Sequence, residues 1–454
     1  MFLRLIFIFL FTFGLFCSGA WYWPFGGKKK NSAPAPSAPV TLSNKFIPTN
    51  GDSSQKIYKK VDPTDGVSVD KVRELADAGN ANAQLTLGRI YFEGLVGEKQ
   101  NYKKAFKYFK LSAEGGSPEG MYNLAICYDG GFGIKRADIE QALYWYQEAA
   151  DNGVPQAQLK TAVFAEAKGE PEKAFKYYRM LADQGDTNCM NQVAHFLLNG
   201  YGCQPDAELA AEYLRRSSHE GNTRALVILA DCYQKGLGTP RDYGKMFQVL
   251  TLAAHDGDPE AQAKLAHCYE EGLGTPRNPE MAFHWYKISA DANYAAGQYL
   301  LAKCYREGIG TPVNPLKARE ALKLAADNGD TMAMMDVADA LLEGKGVTID
   351  RDAGYDWLYK AAQTGMPLAQ ARFGILLAEG TPGHPADTKV ARDWLEYAAN
   401  TGDQLAVIQV ARYYLEGNSR IPDPRRGKEL LEAAMKKNDA LARDFYNLYF
   451  GEKK

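Results

Sequence analysis

The sequence predicts an all-α protein, a solenoid of antiparallel helix pairs, and three observations predict it. Related segments recur about every 36 residues. Within each segment small, apolar and aromatic residues follow in steps of four, and Gly and Asp or Asn punctuate the segment at fixed places. The composition agrees with a folded body: 454 residues, 46% of them hydrophobic, with 43 glycines. With 53 Lys plus Arg against 55 Asp plus Glu, the formal charge is -2. Nucleic acid is therefore not an expected partner, because the chain as a whole lacks the cationic surplus that counterion release would exploit. Beyond residue 25 no apolar run approaches the roughly 20 residues of a bilayer span, which excludes a multi-span membrane protein.

The chain opens with Arg4, an almost wholly apolar run from Leu5 to Phe16, and Cys17-Ser18-Gly19-Ala20. This is the layout of a secretory signal peptide over 1–20, cut after Ala20, and it makes the protein an exported one: periplasmic, envelope-associated or secreted. Two other fates compete. Cys17 could carry lipid, although Phe16 is bulky where lipidation favours a small residue. Leu5 to Phe25 could stay uncut as an anchor, with Trp21, Tyr22 and Trp23 at the membrane interface. Only a retained anchor would bring the chain to a membrane, and reversed insertion would leave a cytoplasmic adaptor. Residues 21–68 follow as a Pro/Ala/Ser/Lys-rich flexible linker with Pro34, Pro36 and Pro39. Seven lysines there face three aspartates, a surplus of +4, so residues 69–454 carry -7.

Val69 to Gly79 reads as a lone second helix. Full segments then begin at Gly79, Gly116, Gly153, Gly185, Gly221, Gly257, Asn293, Gly329, Gly365 and Gly402, and a half-segment begins at Asn438. That gives ten hairpins and two terminal half-units over 69–450. In each unit a small residue follows four places after the opener, as at Ala83, Ala225 and Ala261. Four further on comes an apolar residue such as Leu87, Leu229 or Leu265, and four beyond that often a tyrosine such as Tyr91, Tyr233 or Tyr269. Steps of four mark one face of a first helix, A. Gly94, Gly131, Gly200, Gly236, Gly272, Gly308, Gly344, Gly380 and Gly417 stand where that helix needs a left-handed C-terminal residue. After a loop, Asn101, Asp138, Asp206, Asp242, Asn278, Asn314, Asp350, Asp387 and Asp423 sit where a second helix, B, needs an N-cap, with Pro279, Pro315 and Pro424 directly following. Small residues four past the cap, such as Ala105, Ala282 and Gly427, imply close backbone approach. The third unit is five residues shorter, with Glu170-Pro171 replacing loop and cap.

The order small residue, Leu, Tyr, Gly-x-Gly, Asp or Asn, Ala, aromatic, then Ala-Ala-Asp-x-Gly as at Ala325 to Gly329, resembles the Sel-one-like repeat, a longer-looped relative of the tetratricopeptide repeat. The resemblance covers residues 69 to 450. It implies a right-handed superhelix of antiparallel helix pairs. It also implies a scaffold or adaptor for protein complexes, often in secreted or envelope compartments of bacteria.

Some cysteine-rich family members are described as binding or hydrolysing β-lactams, so a β-lactam-binding envelope protein is the alternative reading. Ser-x-x-Lys occurs at Ser53 and at Ser68, but neither Ser-Asp-Asn nor Lys-Thr-Gly accompanies it, and other catalytic signatures are missing. No catalytic residue, cofactor or metal site is assigned, and the six histidines share no repeat position. Cys127, Cys232, Cys268 and Cys304 occupy one position of helix A. Equivalent helices lie about 8 to 10 Å apart, beyond the roughly 7 Å a disulfide tolerates, so these cysteines read as small core residues. Function is left to the surface. Helices A of a curved array line its concave side, and they are expected to expose Asp231, Gln234, His267, Glu270, Lys303, Arg306 and Glu307 as the partner-binding candidates for a protein or peptide. The position holding Asp231 reads His267, Lys303 and Asp339 in the next three units.

Overall fold

The computed structural model describes residues 68–451 apart from 418 and 438; the leader, most of the linker and Ser53 lie outside the described residues. Twenty-two helices and no strand occur among those residues: a lone helix Val69–Asp77, ten hairpins, and a closing helix Ala440–Phe450. The count of hairpins is that read from the repeat.

Unit six shows how the sequence makes a hairpin. Asp258 accepts the Ala261 N–H at 2.8 Å and Pro259 takes the first helical position, which starts helix A, Pro259–Glu271. Gly272, at φ +74°, ends it in the left-handed conformation and donates its N–H to Cys268. The backbone N–H of Asn278 then returns to the Tyr269 carbonyl at 2.8 Å, closing the loop, while its side chain accepts the Met281 N–H at 3.0 Å and starts helix B, Pro279–Asp291. The second glycine of the Gly-x-Gly loop has a separate reason. A Cβ on Gly274 would lie 2.1 Å from the Tyr243 carbonyl oxygen, at the start of helix B of the previous unit. Gly133, Gly202, Gly238 and Gly310 meet the preceding helix B in the same way, so these loops lock one unit onto the one before. Gly346 of unit eight would meet nothing within 4 Å.

Two expectations need correction. Gly417 does not terminate helix A of unit ten. Gln404–Leu415 ends one residue earlier, and Glu416 caps it in extended conformation. Gly380 has positive φ, but its ψ of 168° lies outside the left-handed helical region. In the short third unit Gly169 is the left-handed cap, and only Gly169 and Glu170 separate Pro155–Lys168 from Pro171–Asp183. The core nevertheless runs unbroken through it, from Ala149 to Cys232.

Helices A form the inner side. Helix A packs directly on the next helix A between units one and two, six and seven, nine and ten, and ten and the closing helix; no helix B packs to that extent on the next helix B. Hairpin partners fit closely because the ninth residue after each unit opener is always Ala or Gly, from Gly88 to Ala411. A Cβ on Gly88 would stand 2.5 Å from the Phe109 ring of its own helix B. The closing helix, Ala440–Phe450, has Asn447 at that position, a polar residue in place of the Ala or Gly of the ten hairpins. Successive units are also pinned by buried glutamines. Gln84, Gln158, Gln262 and Gln298 each donate to a last-turn carbonyl of the preceding helix B at 3.1–3.2 Å, a second hydrogen bond to an oxygen that also accepts the N–H of the unit opener.

Candidate functional site: the inner face of the array

Side chains three, seven, ten and thirteen residues after each opener meet across successive helices A, and in the central units they meet as charges. Asp231 of unit five accepts from Lys264 of unit six at 2.8 Å, and Lys264 also holds Glu260 at 3.0 Å. Arg224 pairs with Glu260, and Asp339 of unit eight with Arg372 of unit nine. Glu270 is the centre of the network. It is 5% exposed, accepts from the Tyr286 hydroxyl at 2.7 Å, and accepts from Lys303 of unit seven at 2.9 Å. Burial alone would raise its pKa, but the hydrogen bonds from Lys303 and Tyr286 outweigh that and hold it below the ordinary carboxylate value. Burial likewise works against the charge on Lys303, and the bond to Glu270 more than compensates.

Glu270 was expected to be exposed, and this is corrected: it is a buried, fully engaged carboxylate. Asp231, Gln234, His267 and Lys303 are half-buried, whereas Arg306 and Glu307 are exposed. Arg306 reaches Glu307 at 3.3 Å and Asp336 of the next unit at 3.6 Å. The changing sign of the Asp231 position therefore has a source inside the molecule, since at three of these positions the side chain is matched to a charge on a neighbouring unit. Lys264, Glu260 and Tyr286 escaped the sequence reading. Lys264 sits 33 residues after Asp231, a spacing that Glu270–Lys303 and Asp339–Arg372 repeat, and that spacing was the available signal.

His267, Glu270 and Glu271 offer ligand atoms within 4.8 Å of one another, because residues i, i+3 and i+4 share a helix face. Burial lowers the His267 pKa, so its imidazole is neutral at pH 7. Both Glu270 oxygens are already taken by Tyr286 and Lys303, however, and an ammonium stands where a metal ion would be needed. Ser68 has an equally local explanation. Its hydroxyl caps the lone helix, accepting the Lys71 N–H at 3.3 Å, while the Lys71 ammonium pairs with Glu74 at 2.8 Å. Cys127, Cys189, Cys232, Cys268 and Cys304 are buried free thiols, and burial pushes Cys127, Cys268 and Cys304 up to about 12. Among the described residues no helix is long and apolar enough to cross a membrane.

Beyond the charged section the chemistry of the inner face changes. The third residue after the opener is polar in units one to six, from Asn82 and Glu119 to Arg224 and Glu260. It is Ala296 in unit seven, and then Met332, Leu368, Leu405 and Leu441 in units eight to ten and the closing helix.

The Sel1 repeat model matches this chain ten times, over 81–117, 118–154, 157–186, 187–222, 223–258, 259–294, 295–330, 331–365, 367–403 and 404–447. Among solved structures, a protective antigen of uropathogenic Escherichia coli strains with an SLR fold is 27% identical. The match covers 86% of this chain and 85% of that one, with a TM-score of 0.51. The rat DAP3-binding cell death enhancer 1 is 34% identical over 110 residues, 24% of this chain and 21% of that protein. Chitin synthase regulatory factor 2 of Schizosaccharomyces pombe is 30% identical over 138 residues, 28% of this chain and 27% of that protein. The chain thus spans about a fifth to a quarter of the length of these two curated relatives.

Proposed function

The chain belongs to the Sel1 repeat family, and from that premise we propose that it is an exported, non-enzymatic scaffold that binds a protein or peptide partner along the inner face of its array. One observation carries the reading. The positions that pack the hairpins stay constant through ten units, while the inner-face position three residues after the opener changes from amide or charged in units one to six to aliphatic or Met in units eight to ten. A frame held constant under a changing surface is how a solenoid presents a recognition groove. The names of the two curated relatives point the same way, since one is described as DAP3-binding and the other as a regulatory factor for chitin synthase. Export rests on the leader at 1–20, and intact-mass analysis of the protein from its own host should find Trp21 as the first residue; retained Met1 or acylated Cys17 would refute cleavage.

Binding is tested by capture of the native partner with two sets of variants. One set replaces exposed inner residues Asn188, His195, Arg306, Glu307, Leu405 and Leu441 in separate groups. The other replaces exposed outer residues Gln248, His284 and Lys287. Loss of capture with at least one inner group, at unchanged helicity and melting, is the expected result. Capture abolished by the outer set and untouched by every inner group would overturn the proposal.

A further inference from the structure

The aliphatic end of the inner face has a geometry of its own. Met332 and Leu368 are half-buried against the core, while Leu405 and Leu441 are 42% and 39% exposed. Seven residues further along the same helices stands a second row, with Asp339 in unit eight, already paired with Arg372, then Ile375 in unit nine, Arg412 in unit ten and Leu448 in the closing helix. Leu448 is 73% exposed, an aliphatic side chain left in water. Seven residues of helix separate the rows by about 10 Å, close to the roughly 10–12 Å diameter of an α-helix with its side chains. Four helices A at about 10 Å spacing give a strip of about 30 Å, the length of a helix of about 20 residues.

On these grounds, and resting on the reading that the inner face binds protein, we infer that this strip docks an amphipathic α-helical segment of a partner, presenting aliphatic side chains and a carboxylate. The carboxylate answers Arg412, which is exposed within the second row. Its ion pair with Glu416 joins the last turn of one helix to its C-cap at 3.0 Å, with both side chains in contact with water, so the guanidinium loses little by turning to a second acid. Leu441 and Leu448 are not laid out for a further hairpin of another copy, because the hairpin-packing position of the same helix is Asn447. Cross-unit charge matching on this face reaches the strip only at its first border, where Asp339 pairs with Arg372; the Leu405, Leu441 and Leu448 side chains beyond it stay open to a helix.

The test displays random peptides of about 20 residues on phage, selects on the full chain, and counter-selects on the Leu405→Glu/Leu441→Glu double variant. Selected sequences should carry aliphatic residues at i, i+3 or i+4, and i+7, together with Asp or Glu. A synthetic representative should bind about tenfold or more weakly to the double variant, and Arg412→Glu should come to prefer the same peptide with Lys in place of its acids. Should the glutamates lower the melting temperature, Leu405→Ala/Leu441→Ala provides the same comparison. Peptides without helical periodicity, or none that distinguish the two proteins, would overturn the inference. So would a dimer in sedimentation that the double variant disperses, since the occupant would then be a second copy. Native-partner capture lost in the unit four to seven variants but intact in Leu405→Glu/Leu441→Glu would sink this inference while leaving inner-face binding in place.

Discussion

Units five to seven and the last helices of the array use the same face of helix A for opposite purposes. In the middle, Asp231, Lys264, Glu270 and Lys303 turn their charges on one another across unit borders. At the end, Leu405, Leu441 and Leu448 turn toward solvent. The loops differ as well: a Cβ on Gly238, Gly274 or Gly310 would strike the preceding helix B, while one on Gly346 would meet nothing within 4 Å, its carbonyl accepting instead from Arg319 of unit seven. A repeat array can thus spend one stretch of its inner surface on holding neighbours together and keep another for a ligand. The stretch richest in charge is the less available one.

The largest expected effect that would break this comparison comes from the loops. Gly274→Val must bear both a left-handed φ and a clash with the Tyr243 backbone, for a loss of about 2–5 kcal/mol. Gly346→Val bears the φ cost alone, about 1–2 kcal/mol. Urea denaturation of both variants checks this, and equal losses would show that the loop interlock contributes nothing.

Next in size is the ion-pair network. Lys303→Met strips the buried Glu270 of its cation and should cost about 1–3 kcal/mol, discounted because Lys303 is partly solvated. Arg412→Met loses only an exposed pair at the end of one helix and should stay within about 0.5 kcal/mol. The same urea midpoints decide it.

Acid should act on the central region first. Folded-state pKa values of Glu260 and Glu270 lie below the ordinary 4.5, so their stabilisation is fully present above about pH 4.5 and is lost as pH falls through the lower folded values. Glu270→Gln should flatten the acid limb of a plot of melting temperature against pH, and an unchanged limb would remove Glu270 from the network's energetics.

The smallest effect concerns the thiols. Reductant should leave melting nearly unchanged, and a native-state alkylating agent should label half-exposed Cys203 before the buried Cys127, Cys232, Cys268 and Cys304. Labelling of Cys268 ahead of Cys203 would mean that the hairpins open more readily than their packing implies.

The fold was legible in the sequence because its signals are local and repeated ten times over. Capping Asp or Asn, helix-ending Gly and steps of four each report on their own unit, and the borders they gave match the helices to within a residue or two. Gly417 misled because a glycine at the right spacing does not dictate its own φ; helix A of unit ten ends one residue early and leaves it no left-handed duty. The site was less legible. Whether Glu270 is exposed depends on Tyr286, 16 residues away, and on Lys303, 33 residues away, and neither contact leaves a trace in the helical period of its own segment. The Met332, Leu368, Leu405 and Leu441 series was readable in principle. It lay unseen because its meaning depends on knowing that the third position faces the next helix A.

Hydrogen–deuterium exchange of the full chain, alone and with its captured native partner, tests most directly where the array binds. Protection should rise in the helices A that carry Met332, Leu368, Leu405 and Leu441, with helices B such as Tyr243–His255 and Pro279–Asp291 unchanged. Protection appearing instead on those outer helices, or confined to residues 21–68, would contradict an inner-face scaffold.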